Sequence, residues 1–158
     1  MYRIGFGTDI HRLVAGPPLI IGGVRVESDL GADGHSDADV LMHAATDAVL
    51  GALALGDVGK HFPNDEERWR NAASSQFLKY AGGLIKERGY VVANIDSVID
   101  LEQPKLRPHI DAMRANLAAA LEIEIDQVSV KAKTGEAVDA VGERRAVRAE
   151  VVVLVVKA

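Results

Sequence analysis

Apolar and polar residues alternate along the first part of the chain, which predicts a β-strand over residues 2–11. Ile4, Phe6 and Ile10 share one side of this strand. Further apolar runs predict strands over residues 19–21, 24–26, 91–101, 128–132 and 147–156. The last strand is apolar on both faces from Val151 to Val156, which favours a central position in a sheet or a covering partner.

The pattern changes to a helical period at residues 37–55, a stretch rich in alanine, leucine and valine. Ser36 is the predicted N-cap, and Asp37 and Asp39 in the first turn suit the positive end of the helix dipole. Gly56 is the predicted stop signal. The same period predicts two further helices, over residues 72–88 and 108–121.

Four to five strands and three helices that do not strictly alternate indicate an α+β fold. We expect a two-layer sandwich, with a mixed four- to five-stranded sheet and the helices on one face. With 158 residues, the chain is expected to form a single domain over residues 1–158. Three helices cover only one face of such a sheet, so other subunits of a homo-oligomer are expected to bury the second face.

The composition excludes several classes of site. The chain has no cysteine, so disulfides, thiolate catalysis and cysteine-bound zinc are excluded. The formal net charge is -5 and aromatic residues make up 4%, which argues against nucleic-acid binding. No apolar run approaches the ~20 residues of a membrane span, and the first residues lack the pattern of a signal peptide. A cytoplasmic location without membrane association is expected.

Histidines and aspartates that share faces of two predicted elements indicate a metal site. Asp9 and His11 lie on the same side of the first strand because side chains alternate there. His43 lies on the first helix, with Asp39 and Asp47 one turn away on either side. Catalytic zinc is usually held by three protein side chains with one open position. We therefore expect Asp9, His11 and His43 to bind zinc, with Asp39 and Asp47 as acceptors that orient the imidazoles.

Several long motifs are shared with a known family. They are RIGFGTDIHRL, PLIIGGV, DGHSDADVLMHAATDAVLGALALGDVGKHFP, QPKLRPHI and VKAKTGE. On these motifs the chain resembles the 2-C-methyl-D-erythritol 2,4-cyclodiphosphate synthases of the non-mevalonate isoprenoid pathway, over nearly its whole length. The resemblance implies a homotrimer with active sites between subunits. It also implies a nucleotide-linked substrate, 4-diphosphocytidyl-2-C-methyl-D-erythritol 2-phosphate, which is cyclised with release of CMP.

The resemblance also implies roles for particular residues. The zinc ligands of the family match Asp9, His11 and His43, and a second divalent ion, Mg2+ or Mn2+, is expected at Glu136. His35 and Thr134 match the catalytic pair that contacts phosphate. Substrate contacts are expected from Asp9, His11, His35, Ser36, Asp57, Val58, Gly59, Phe62, Asn64, Asp65, Pro104, Lys105, Leu106, Lys133, Thr134 and Glu136.

Two other functions fit the same residues. A zinc-dependent phosphohydrolase would use the same three ligands and would release free phosphate. A non-catalytic trimeric binding module would hold a structural metal, but structural zinc is usually closed by four protein ligands. The reaction product distinguishes the first alternative from a cyclase, and turnover itself distinguishes the second.

Overall fold

The computed structural model describes residues 1–158. Its strands are β1 (Tyr2–Val14), β2 (Leu19–Ile21), β3 (Val24–Val26), β4 (Gly31–Ala32), β5 (Tyr90–Asp100), β6 (Val128–Lys133) and β7 (Ala146–Lys157). Its helices are α1 (Val40–Ala52), α2 (Val58–His61), α3 (Ser75–Glu87), α4 (Ile110–Leu121) and α5 (Asp139–Gly142), with 3-10 turns at Glu67–Trp69, Arg107–His109 and Ile125–Gln127.

Five strands form one mixed sheet in the order β4-β1-β7-β5-β6. β5 and β6 run parallel, and the other neighbouring pairs are antiparallel. The apolar strand β7 is central, as its two apolar faces predicted. β2 and β3 pair only with each other. The short strand β4 is not among the predicted strands, because the segment around it, residues 27–34, is mostly polar and contains two glycines. The α+β class with a mixed sheet is confirmed.

The main helix packs directly on the first strand. Gly5 and Gly7 face α1 so closely that a Cβ on Gly7 would lie 2.0 Å from the carbonyl oxygen of Ala44. The two glycines therefore allow the helix backbone to rest on the strand backbone. This contact forms part of a core of 34 buried apolar residues, and it sets the distance between β1 and α1.

The ends of α1 differ from the prediction. Asp39, not Ser36, is the N-cap, and its carboxylate accepts a hydrogen bond from the amide of Met42. The same carboxylate accepts the amides of Gly22 and Gly23, at 2.8 and 2.7 Å. Its position is therefore fixed by the β2–β3 turn as well as by the helix. The helix ends at Ala52, three residues before the predicted end, and α3 begins three residues after its predicted start.

The sheet face opposite the helices carries exposed apolar side chains. Ile4 is 71% exposed, Phe6 59%, Ile10 55% and Val152 45%. Phe6 and Val152 are direct neighbours in the register of β1 and β7, so these residues form a continuous surface. The uncovered apolar face was predicted from the sequence. None of the helices combines the length and apolar character that crossing a membrane requires.

Candidate metal centre and a cavity at the sheet edge

Three predicted ligands converge between β1 and α1. Asp9 and His11 point from the inner face of β1, and His43 points toward them from the first turn of α1. Oδ2 of Asp9 lies 2.9 Å from Nε2 of His11 and 3.1 Å from Nδ1 of His43. The two ring nitrogens are 3.3 Å apart. All three ligand atoms lie within 4.8 Å of one another, so this half-buried group could hold a metal ion.

The charges of the three side chains favour an ionised carboxylate. Burial acts to raise the pKa of Asp9, but hydrogen bonds and charge interactions with His11 and His43 outweigh it and lower the pKa to about 2. Burial acts to lower the pKa of His11, and the pairing with Asp9 outweighs it and raises that pKa above its ordinary value. A carboxylate and two imidazoles form a donor set that suits zinc.

The groups that orient His43 are not the predicted ones. The carboxylate of Asp39 accepts hydrogen bonds from backbone amides only. The carboxylate of Asp47 accepts a hydrogen bond from the amide of Val58 at 2.6 Å. The prediction that these two aspartates orient imidazoles was therefore wrong. Instead, Nε2 of His43 lies 2.8 Å from the hydroxyl of Ser74. No local pattern indicates this contact, because Ser74 is 31 residues away and looks like an ordinary N-cap of α3.

The other polar residues predicted near the metal lie in the loops that follow β4 and α1. His35 is half-buried, and its Nε2 lies 3.1 Å from the carbonyl oxygen of Glu66. Ser36 lies 3.1 Å from Nε2 of His43. Asp57 caps α2 by accepting the amide of Lys60. Asn64 and Asp65 are exposed on the following loop.

Phe62 is placed differently from the other predicted contacts. It is 7% exposed and stacks on Phe77 at a centroid distance of 4.2 Å. Trp69 packs edge-on against both rings. Phe77 also stacks on the ring of His43, at 6.0 Å. The side chain of Phe62 therefore belongs to an aromatic cluster that supports the metal centre from the α3 side.

A second group of predicted residues lines a cavity of about 600 Å³ at the β6 edge of the sheet. Its lining includes Leu101, Pro104, Lys105, Leu106, Lys133 and Thr134. The side chain of Leu106 is buried, so the backbone of this segment is the part that is available to a ligand. Lys105 and Lys133 are exposed and add positive charge.

Glu102 joins the two loops beside this cavity. Its Oε2 accepts the amide of Gly135 at 2.8 Å, and Thr134 donates to Glu136 at 3.0 Å. Glu136 has a left-handed backbone, with φ of 50°. Sequence reasoning did not identify Glu102, because a glutamate after a strand carries no distinctive pattern.

The two groups are separate within one chain. None of Asp9, His11, His35 and His43 lines the cavity, and no hydrogen bond joins these residues to Thr134 or Glu136. One chain therefore has two separate parts, a metal half with the three candidate ligands and a cavity half at the β6 edge of the sheet.

Comparisons with known proteins agree with the motifs. The profile of the YgbB family matches residues 2–156. The 2-C-methyl-D-erythritol 2,4-cyclodiphosphate synthase of Synechococcus elongatus is 52% identical over 156 residues, which cover 99% of this chain and 98% of that protein. The structure of the bifunctional IspDF from Campylobacter jejuni matches with a TM-score of 0.96 and 34% identity, over 100% of this chain and 43% of that one.

A CDP-bound structure of a 2C-methyl-D-erythritol-2,4-cyclodiphosphate synthase matches with a TM-score of 0.90 and 40% identity, over 98% of this chain and 100% of that one. Identity at this level over the whole length exceeds what a shared fold alone requires. The chain belongs to the YgbB family, together with the relatives named 2-C-methyl-D-erythritol 2,4-cyclodiphosphate synthase.

Proposed function

We propose that this chain is a phosphorus-oxygen lyase of the cyclising type. It converts 4-diphosphocytidyl-2-C-methyl-D-erythritol 2-phosphate to 2-C-methyl-D-erythritol 2,4-cyclodiphosphate and CMP, a step of the non-mevalonate isoprenoid pathway. An oxygen of the 2-phosphate attacks the β-phosphorus, the bond from that phosphorus to the bridging oxygen breaks, and CMP leaves with that oxygen. The convergence of Asp9, His11 and His43 in a member of this family is the observation that carries the proposal.

The residues suit a reaction between two phosphates of one molecule. Asp9, His11 and His43 would hold Zn2+, and Glu136 would hold Mg2+ or Mn2+ with the diphosphate. These ions, when bound, supply positive charge that offsets the repulsion between phosphates and the charge on the leaving group. The reaction is intramolecular, so the chain mainly has to fold the substrate into an in-line geometry, and no protein nucleophile is required.

The remaining residues bind and orient the substrate. His35 and Thr134 would contact phosphate, and Asp57, Val58 and Gly59 would hold hydroxyl groups of the substrate. The backbone at Pro104 to Leu106 would bind cytosine in the cavity, and Lys105 and Lys133 would contribute positive charge there. A solved structure of a relative is a CDP-bound form, which supports a cytidine nucleotide as the ligand class.

We further propose a homotrimer in which the metal half of one subunit meets the cavity half of its neighbour. Two observations support it: the exposed apolar sheet face, and the absence of a shared lining residue or hydrogen bond between the two halves within one chain. Sedimentation should give a mass of about 51 kDa, three times the 16.9 kDa of the chain. Phe6→Asp should dissociate the assembly, whereas Ile125→Asp, a change at an exposed apolar residue on a 3-10 turn, should not.

Phosphorus NMR tests the reaction directly. The protein is incubated with the cytidylylated substrate and Mg2+, before and after zinc is stripped with a chelator. A cyclic diphosphate and CMP that disappear on stripping and return with Zn2+ would support the proposal. Free phosphate would indicate the phosphohydrolase instead, and metal binding without turnover would indicate a binding module.

Two variants separate the metals. His43→Ala should lose zinc and turnover together, because it removes one of three ligands. Glu136→Ala should keep zinc and lose only the Mg2+-dependent turnover. His109→Ala is the control for zinc content, since His109 lies at the start of α4 and outside the three-ligand group. Stoichiometric zinc in His43→Ala would show that the ligand assignment is wrong.

A further inference from the structure

The imidazole of His43 has two different environments. Its Nδ1 faces Asp9 and His11, at 3.1 and 3.3 Å. Its Nε2 points away from them, to the hydroxyl of Ser74 at 2.8 Å. Ser74 is completely buried, so water does not compete freely for this contact. His43 therefore connects the candidate metal centre, through a hydrogen bond, to a buried serine.

Asp37 determines which way the Ser74 hydroxyl points. Oδ1 of Asp37 accepts a hydrogen bond from the Ser74 hydroxyl, and Oδ2 accepts the Ser74 amide at 3.0 Å. An ionised carboxylate only accepts hydrogen bonds, so the single hydroxyl proton of Ser74 is committed to Asp37. The Ser74 oxygen is then left to accept a hydrogen bond from Nε2 of His43.

This order of donors favours one tautomer of His43. With an ion bound, Nε2 carries the proton that it shares with Ser74, and Nδ1 offers its lone pair to the ion in place of the hydrogen bond to Asp9. Ser36 lies 3.1 Å from the same Nε2 and 3.3 Å from Ser74, and its hydroxyl oxygen can also accept a hydrogen bond from Nε2. The hydrogen bonds thus orient His43 so that Nδ1 is the nitrogen available to a metal ion.

The backbone holds the serine in place. The amide of Asp37 donates to the carbonyl of Ala72 at 3.0 Å, and the amide of Asn71 donates to the carbonyl of His35 at 2.9 Å. Ser74 makes no capping hydrogen bond through its side chain, although it occupies the N-cap position of α3. Its hydroxyl is used for His43 and Asp37 instead of for the helix.

We infer that Ser74 and Asp37 are positioning residues of the metal centre, which hold His43 in the tautomer and orientation that leave Nδ1 free to bind the ion. This inference rests on the proposed function, because it takes His43 as a metal ligand. Loss of a group that orients a ligating histidine typically weakens metal binding about 10- to 100-fold. We expect a loss of this size for Ser74→Ala and for Asp37→Asn.

The test measures zinc affinity by chelator competition, together with the visible spectrum of the Co2+-substituted protein. Ser74→Ala should bind zinc about 10- to 100-fold more weakly and change the Co2+ spectrum. The matched control is Ser97→Ala, which removes another buried hydroxyl, one that donates to the carbonyl of Ser129 in the sheet. Ser97→Ala should leave zinc affinity and the Co2+ spectrum unchanged.

A merely structural role for Ser74 would lower the thermal stability of the metal-free protein and leave the zinc affinity unchanged, and that result would overturn the inference. If the wild-type chain bound no zinc, the proposed function would fail as well. If it bound one zinc and turned over, and Ser74→Ala matched its affinity, only the inference would fail. Should Ser74→Ala not fold, Asp37→Asn provides the same comparison with the serine kept.

Discussion

The backbone contact between β1 and α1 should control both stability and metal binding. A Cβ added at Gly7 would lie 2.0 Å from the carbonyl oxygen of Ala44 and 2.7 Å from the amide nitrogen of Ala48. Ordinary contact begins at 3.4 Å, so Gly7→Ala requires a shift of about 1.4 Å. Neither neighbour is a flexible side chain, so the helix itself has to move away from the strand.

The cost of this shift can be estimated. Overpacking a core typically costs about 1–3 kcal/mol, and a backbone neighbour places Gly7→Ala near the upper end of that range. A chain of this size loses about 2–4 °C in Tm per kcal/mol, so we expect a decrease of about 6–12 °C. The metal ligands are divided between β1 and α1, and such sites need positions held to about 0.5 Å. Zinc affinity should therefore fall about tenfold or more.

The assay is thermal unfolding of the metal-free protein, followed by chelator competition for zinc at a temperature where the variant is folded. Gly83→Ala is the matched control, since Gly83 lies in α3 and a Cβ there would meet nothing within 4 Å. That change should stabilise the chain by about 0.5–1 kcal/mol, because glycine is unfavourable inside a helix. A Gly7→Ala protein that unfolds within about 2 °C of wild type and keeps wild-type zinc affinity would refute the reasoning.

Three further predictions follow from the site and its surroundings. Free Zn2+ at about 100 times its dissociation constant should stabilise the protein by about 2.7 kcal/mol, seen as a rise of about 5–10 °C in Tm that is absent in His43→Ala. Burial raises the pKa of Asp39 to about 6, above its unfolded value of 3.8, so the unfolding free energy should fall by about 3 kcal/mol as pH rises from about 4 to 6. Urea unfolding of Asp39→Asn should lack this decrease, and parallel pH profiles for the two proteins would contradict the assignment. In steady-state kinetics, Glu102→Ala should raise KM about 10- to 100-fold at unchanged zinc affinity, because the amide of Gly135 loses a charged acceptor. Glu102→Gln keeps an acceptor oxygen and should bring KM most of the way back to the wild-type value.

The elements that the sequence predicted well are those with a strong periodic pattern. β1 alternates and β7 is apolar from Val151 to Val156, and both strands are close to their predicted bounds. The cap of α1 was misplaced because Ser36 and Asp39 are both good N-cap residues. Asp39 occupies the cap because its carboxylate also accepts two amides of the β2–β3 turn, and this tertiary contact leaves no trace in the local sequence.

In the candidate site, too, the residues with a local sequence pattern could be predicted and those defined by tertiary contacts could not. Asp9, His11 and His43 could be predicted from strand alternation, the chemistry of zinc and the family motifs. The residues that support His43 could not, because Asp37 and Ser74 meet only through the pairing of two loops. Asp39 and Asp47 have the right helical spacing from His43, but their carboxylates already accept backbone amides. Sequence spacing predicts which face of a helix a side chain lies on, but its hydrogen-bond partner depends on the tertiary fold.

Metal binding should therefore require only one folded chain, whereas turnover should require the assembly. All three proposed zinc ligands, and the serine and aspartate that we infer to orient His43, come from one chain. None of these ligands lines the cavity with Lys105, Lys133 and Thr134 in the same chain, so the proposed trimer would bring the cavity of a neighbouring subunit to the metal ligands. A dissociated Phe6→Asp subunit should then bind zinc as tightly as the assembly does and still fail to cyclise the substrate. Turnover by such a monomer would show that one chain can close the site by itself, and the argument for shared active sites would fall.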